Sequence, residues 1–274
     1  MIKRILIGLG GTPYTPVAIE RAVTLAQRYE AGLTAVTMVK REQLISPSGI
    51  PGSFQAEADK AGRPHVTEEK IEESIAAFEA SCSTASIKYT VKLESGNPFD
   101  LFISLTRYYD IMVFGLRSIF EYRVSAEDPC VTLARLVSAG VRPIIAVSSQ
   151  FRPIGIALIA YNGSMESAKT MKRFIQLRPW PDAKLRIVTF QRSEEEARKL
   201  LCDASEYCRA HGFTVETESN PGPPKDFLLV LATRRQADVI VMGSSARSLL
   251  LKRVLGDTAM HIIKNTDRPL FLCQ

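Results

Sequence analysis

Gly243, Gly256 and Thr258 have the residue types and the spacing to receive a phosphate. Gly243 closes an apolar run that begins at Asp238, and Gly256-Asp257-Thr258 opens an amphipathic stretch carrying Ala259, Ile262 and Ile263. Glycine lets a backbone approach an anion closely, and the unpaired amides at a helix start favour negative charge. Thr258 adds a hydroxyl donor and Arg247 a full positive charge. A second polar group, Asn162-Gly163-Ser164, follows the apolar run 156–160, with a glycine suited to a turn and a serine suited to cap a helix. No catalytic residue is expected. The chain has no G-x-S-x-G elbow, no H-E-x-x-H and no G-x-x-x-x-G-K-[S/T]. His261, three residues after Thr258, reads as a helix-surface histidine.

The elements that must position these residues occur twice. An apolar run at 5–9 ends in Gly10-Gly11-Thr12, and the run at 156–160 ends in the Asn162 group. Gly11 and Gly163 keep the same separation as Thr37 and Thr189 in the next strand candidates, 33–39 and 185–190. Asp110-Ile-Met-Val-Phe-Gly115 repeats as Asp238-Val-Ile-Val-Met-Gly243, and Arg142-Pro143 repeats as Arg268-Pro269. The first half differs by a longer Gly/Pro/Ser/Ala-rich loop, about 41–65. Helical periodicity separates the runs. Val17, Ala18, Ala22, Leu25 and Ala26 share one face, and Ile71, Ile75 and Phe78 share another, after Thr67. In the second half Ser193-Glu-Glu-Glu196 has the form of a capping box, and His211-Gly212 of a helix stop. Each half reads as five short strands, apolar on both faces, alternating with helices. That is an α/β fold of two doubly wound parallel-sheet domains, 1–148 and 153–274.

Composition sets limits on function. With 46% apolar and 23% charged residues the chain reads as a folded soluble protein. A net charge of +6 without a block of like charges predicts no nucleic-acid surface. No apolar run is long enough to span a membrane. The five cysteines lack C-x-x-C spacing, and the three histidines have no ligand spacing with them, so free thiols in a cytoplasmic protein are expected and no metal site is. Cys208 falls on an apolar helix face, whereas Cys273, one residue from the end, is the thiol expected to be accessible.

On these motifs the chain resembles the universal stress protein family, whose nucleotide-binding members carry G-x-x-G, nine residues, then G-[S/T]. Here Gly243-x-x-Ala246 is followed by the nine residues 247–255 and then Gly256-Asp257-Thr258. The likeness extends over both halves, including Gly163-Ser164 and the final strand after Pro269. It implies an adenine-nucleotide α-hydrolase-like fold in tandem, and a stress-response regulatory or protective role. It also implies binding of ATP or AMP in the second half, with Mg²⁺ accompanying ATP and at most slow ATP hydrolysis. The implied nucleotide residues are Asn162, Gly163, Ser164, Val188, Thr189, Gly243, Ala246, Arg247, Gly256, Asp257 and Thr258. Val188 and Thr189 would meet adenine largely through backbone.

The chain departs from the family pattern at several points. Ala246 replaces a glycine, Asp257 stands where serine or threonine is usual, and Asn162 stands where binders often have aspartate. In the first half Gly115-x-x-Ser118 and Asp128-Pro129-Cys130 fill the same frame with two glycines missing, so that half is expected to be a structural partner. The resemblance further implies that 144–147 and 270–272 pair across an internal pseudo-two-fold axis, and it leaves a homodimer of the tandem chain open. A reading of a different class is an interaction or scaffold protein free of nucleotide, its pockets decayed.

Overall fold

The short apolar runs become strands and the amphipathic segments between them become helices, each helix burying one stripe on the sheet. The structure, a computed structural model, describes residues 1–38, 68–94, 98–116, 133, 136–137, 143–243, 246–247 and 254–273. The first half contains β1 (Arg4–Gly8), α1 (Thr15–Tyr29), β2 (Gly32–Met38), α2 (Glu68–Thr84), β3 (Tyr89–Glu94), α3 (Pro98–Thr106), β4 (Ile111–Gly115) and β5 (Ile144–Val147). The second contains β6 (Ile156–Ala160), α4 (Met165–Leu177), β7 (Lys184–Thr189), α5 (Glu194–Ala210), β8 (Val215–Ser219), α6 (Pro224–Arg234) and β9 (Val239–Gly243). It closes with β10 (Ala246–Arg247), β11 (Val254–Leu255), α7 (Asp257–Asn265) and β12 (Leu270–Cys273). The inserted loop 41–65, Ser118 and Asp128-Pro129-Cys130 lie outside the described residues.

Ten strands form one sheet in the order β3-β2-β1-β4-β5-β12-β9-β6-β7-β8. Neighbours run parallel except at the centre, where β5 and β12 pair antiparallel through Leu270↔Ala146, Phe271↔Ile145 and Leu272↔Ile144. The last strands of the two halves thus pair as expected and remove two exposed edges. All residues of β5 and β12 are buried. The outer strands are not apolar on both faces, contrary to the sequence reading. Tyr89 and Leu93 of β3 are exposed, and β8 shows Glu216 and Thr217 to solvent. Among the described residues each outer strand has one sheet neighbour instead of two, so its covering is incomplete.

Two core layers flank the sheet. Residues of α1, α2, α4 and α5 pack on one face, with Phe78, Phe174, Leu201 and Cys208 among them. Residues of α3, α6 and α7 pack on the other, with Phe102, Leu228 and Ile262. Phe174 meets Phe271 of the central strand edge-on, ring centroids 5.1 Å apart. The halves also meet along α1. Arg28 pairs with Asp182 at 3.1 Å, and the Tyr29 hydroxyl donates to the Arg178 carbonyl. Arg21, 2% exposed, donates to the Arg152 carbonyl at 2.5 Å and lies over the rings of Phe151 and Trp180. Burial outweighs the opposing Glu20 charge and pushes its guanidinium down to about 10.

The duplication reaches individual hydrogen bonds. Asp110 accepts from the amides of Lys3 (2.8 Å) and Arg4 (3.0 Å), and Asp238 accepts from those of Gly155 (2.9 Å) and Ile156 (2.8 Å). Helices α1 and α4 both end on a left-handed residue, Glu30 and Arg178, each with φ 50°. Gly212, φ 82°, ends α5 in a Schellman motif, with Phe213 N–H donating to the Cys208 carbonyl and Gly212 N–H to that of Arg209. At the start of α5, Ser193 caps the Glu196 amide at 3.3 Å. Among the described residues no bond returns from the Glu196 side chain, so half of the capping box forms. One expectation is overturned: Cys273 is buried, since β12 lies at the sheet centre, and among the described cysteines Cys202 is the exposed thiol.

Candidate functional site

In the second half the chain leaves β6 toward β7 on one side, while β9 lies on the other. The gap beyond the carboxyl ends of β6 and β9 is therefore the switch point of strand order, where open parallel sheets take ligands. Asn162, Gly163 and Ser164 follow β6 and begin α4; Gly243 ends β9.

Gly163 has φ 77°, which turns the chain sharply from strand to helix. A Cβ there would come within 2.7 Å of Leu200 Cδ1, so α5 also presses on this turn. The Ser164 Oγ accepts from Ser167 N–H at 3.2 Å and caps α4. Asn162 Oδ1 accepts from Ser164 N–H at 3.0 Å, closing an Asx turn. That bond assigns the amide orientation and leaves Nδ2, a donor, as the outward group. The first half builds the turn differently. Gly11 keeps a positive φ of 59°, but Thr12 Oγ1 accepts from Tyr14 N–H, and α1 has no side-chain cap.

Gly243 is tied to the start of α4. A Cβ on it would lie 2.9 Å from the Glu166 carbonyl oxygen and 3.0 Å from Thr170 Oγ1. Thr170 in turn donates to the Glu166 carbonyl (2.8 Å) and to that of Cys273 (3.0 Å), so α4, β9 and β12 are locked together here. This glycine has a packing role that spacing alone did not reveal.

The two ends of the nine-residue spacer come together as a short antiparallel pair. Ala246 pairs with Leu255 and Arg247 with Val254, antiparallel. The pairing returns Gly256 beside the segment that begins at Gly243. Ala246 lies in strand β10, whose extended backbone any L residue adopts. Gly256 is the N-cap of α7 with φ −59° and ψ 152°, and no side chain caps the helix. Among the described residues its first amides are therefore orphan donors. Asp257 is exposed and Thr258 half-buried in the first turn. Asn265 Nδ2 contacts His261 Nδ1 at 3.3 Å on the helix surface.

Val188 and Thr189 stand at the carboxyl end of β7, beside Ala160 of β6. Their carbonyls already accept from Tyr161 N–H and Asn220 N–H, both at 2.9 Å. The Thr189 Oγ1, fully buried, is one of two buried side-chain polar atoms without a partner among the described residues, the other being Arg21 Nε. An orphan hydroxyl at this end of the sheet is capacity that sequence reasoning missed. It could be read only once the neighbouring bonds were known. Among the described residues no group of three His, Cys, Asp or Glu is placed to hold a metal ion.

A model of the universal stress protein family matches residues 1–117 and 177–274. Universal stress protein Slr1230 of Synechocystis is 21% identical over 98% of this chain and 99% of its own length. The crystal structure of a universal stress protein from Archaeoglobus fulgidus superposes with a TM-score of 0.67 and 17% identity, over 99% of this chain and 96% of that one. A shorter universal stress protein, solved in complex with cAMP, aligns with 45% of this chain at 23% identity and a TM-score of 0.40. With its family match falling on both halves and its fold shared across the full length of the Archaeoglobus protein, the chain belongs to the universal stress protein family, as two of its domains in tandem.

Proposed function

We propose that the second domain binds an adenine nucleotide, ATP or AMP, and that the protein is a regulatory or protective component of a cytoplasmic stress response. In this reading the domains are 1–148 and 153–274, and the first is a structural partner. The observation that carries it is the convergence at the β6–β9 switch point. The β10–β11 pair returns an uncapped helix start, α7, to the glycine strand end that abuts α4. Phosphate would take the orphan amides of Asp257, Thr258 and Ala259 and the Thr258 hydroxyl. Arg247 would add positive charge at that pair. The Asn162 Nδ2 and the Val188–Thr189 strand end would face adenosine. Asp257 would repel a triphosphate, so Mg²⁺ would accompany ATP.

Asp257 also favours a second reading. An exposed carboxylate in the first turn of α7 already offers the helix dipole the negative charge a phosphate would bring. In that case the domain is an interaction or scaffold module without nucleotide.

Calorimetric titration of nucleotide-stripped protein with ATP and Mg²⁺, and with AMP, separates the two. Gly256→Trp is the control, because the backbone at φ −59° accepts a side chain without strain. Micromolar binding that the variant loses supports the nucleotide site. No heat and no thermal shift at millimolar ATP or AMP would overturn it in favour of the scaffold.

A further inference from the structure

The two outer edges of the sheet are built differently. Strand β8 is guarded by charge: Glu218 pairs with Arg234 (2.9 Å) and Arg235 (2.8 Å), and Glu216 with Arg186 (2.9 Å). Strand β3, at the other end, has β2 as its one sheet neighbour among the described residues. Tyr89 packs edge-on against Phe78, with ring centroids 5.7 Å apart, and Val91 lies against the same core. Leu93, on the same face by alternation, is 64% exposed. An edge strand with an exposed apolar row and free backbone groups is a template for another strand.

We infer that this edge joins two copies of the chain, β3 to β3, antiparallel about a two-fold axis through Val91. Three features of the strand fix that arrangement. Leu33 N–H donates to the Lys88 carbonyl at 3.0 Å, so Lys88, Thr90, Lys92 and Glu94 turn their backbone groups toward β2. Tyr89, Val91 and Leu93 then turn theirs outward. An added antiparallel strand must set outward residues opposite outward residues, which leaves a few registers. A two-fold through Val91 pairs Val91 with itself and Tyr89 with Leu93 of the partner subunit, making one continuous apolar stripe. On the other face it sets Lys88 opposite Glu94 of the partner subunit, and Thr90 opposite the partner's Lys92. Shifting the axis to Thr90 sets Lys88 opposite the partner's Lys92, and shifting it to Lys92 sets two lysines face to face. Like charges directly opposite are unfavourable, and axes through Tyr89 or Leu93 overlap too little of the strand, so charge and overlap together select the Val91 register. Strand β8 fails the same test, because a two-fold through Thr217 sets Glu216 opposite the partner's Glu218. The contact is isologous and closes at two copies. It extends the sheet from ten strands to twice that number.

Sedimentation equilibrium of the full chain, over micromolar to hundreds of micromolar, tests the inference. A dimer of twice the 30.3 kDa chain mass is expected. Lys88→Glu alone and Glu94→Lys alone each place like charges at both ends, and each should weaken the dimer about tenfold. The double exchange Lys88→Glu/Glu94→Lys should restore it, an outcome that misfolding does not imitate. Val91→Pro removes an amide that faces the partner and none that faces β2, so it should give a folded monomer by circular dichroism. A wild-type monomer throughout the range overturns the inference. So do open polymers, a dimer unmoved by Val91→Pro, or single exchanges that the double exchange does not rescue.

Discussion

The carbonyl oxygen of Glu166 lies where a side chain on Gly243 would begin, 2.9 Å from an ideal Cβ at that position. The loop glycine of the candidate site is thus also the point where α4 rests on the end of β9. Gly243→Ala should destabilise the protein by about 1–3 kcal/mol, the usual cost of forcing a methyl into a packed contact. Urea unfolding measures it. Full stability in the variant would mean that α4 yields easily and that Gly243 is kept for the ligand alone. Because of this packing role, loss of nucleotide binding on changing Gly243 says little by itself, and Gly256 is the cleaner probe.

Asp110 and Asp238 hold the amino ends of β1 and β6 by paired bonds from backbone amides, far from the ligand end of the sheet. Asp238→Ala and Asp110→Ala should each cost about 1–2 kcal/mol, since bonds to a charged acceptor are stronger than neutral ones. Neither should alter ligand binding. Denaturation midpoints together with nucleotide titration check both halves of that statement. A change in affinity without a change in stability would contradict the division of labour between the two ends of the sheet.

The duplication and the alternation of strands with helices were legible because apolar runs and turn residues recur in register, while the central pairing of 144–147 with 270–272 was implied by the family resemblance. Contacts between distant segments were not. Cys273 reads as a terminal, accessible residue until β12 is known to lie between β5 and β9. Gly243 reads as a phosphate glycine until α4 is seen against it. Asn162 reads as a ligand contact until its Oδ1 is found closing a turn, which reverses the polarity of what it offers. The spacer reads as a loop because two paired positions are too few to show alternation.

Glu218 gives a pH signature. The hydrogen bond from Arg235, with the charges of Arg235 and Arg234, outweighs desolvation and holds its carboxyl below the ordinary glutamate range. A carboxyl depressed in the folded state contributes stability that is full above its unfolded value and is lost as pH falls through the folded one. Glu218→Gln should therefore lower stability at neutral pH, by less than about 1 kcal/mol for so accessible an ion pair. The gap between variant and wild type should close in acid. Denaturant midpoints across pH 2 to 7 measure it, and a gap independent of pH would contradict the assignment.

Thiol reactivity separates the cysteines. Burial pushes Cys208 up to about 12, and burial with the Glu79 charge pushes Cys82 up to about 11. Cys273 is shielded within β12, while Cys202 is exposed on α5. In a Cys130→Ser background, one thiol per chain should react rapidly with a disulfide reagent at pH 8, and Cys202→Ser should abolish that phase. The other three should react on unfolding, because the thiolate is the nucleophile and burial suppresses it. A fast second thiol assigned to Cys273 would place the central strand in a more open state than the antiparallel pair allows.

Asn162 carries the last prediction. With Oδ1 engaged by Ser164 N–H, its free end donates and matches acceptor atoms of a ligand, such as adenine ring nitrogens. Asn162→Asp preserves the bond from Ser164 and turns the free end into a charged acceptor, which suits ribose hydroxyls or the adenine amino group. If the adenosine moiety lies here and presents donors, the aspartate should tighten binding by up to about tenfold, because a charged acceptor forms the stronger bond. If it presents acceptors, the aspartate should weaken binding by a similar factor. Calorimetry with adenosine, AMP and ATP on both proteins reads the sign, and using all three separates the effect at the nucleoside from charge repulsion of the phosphates. Equal affinities across the series would make Asn162 a turn residue with no part in recognition.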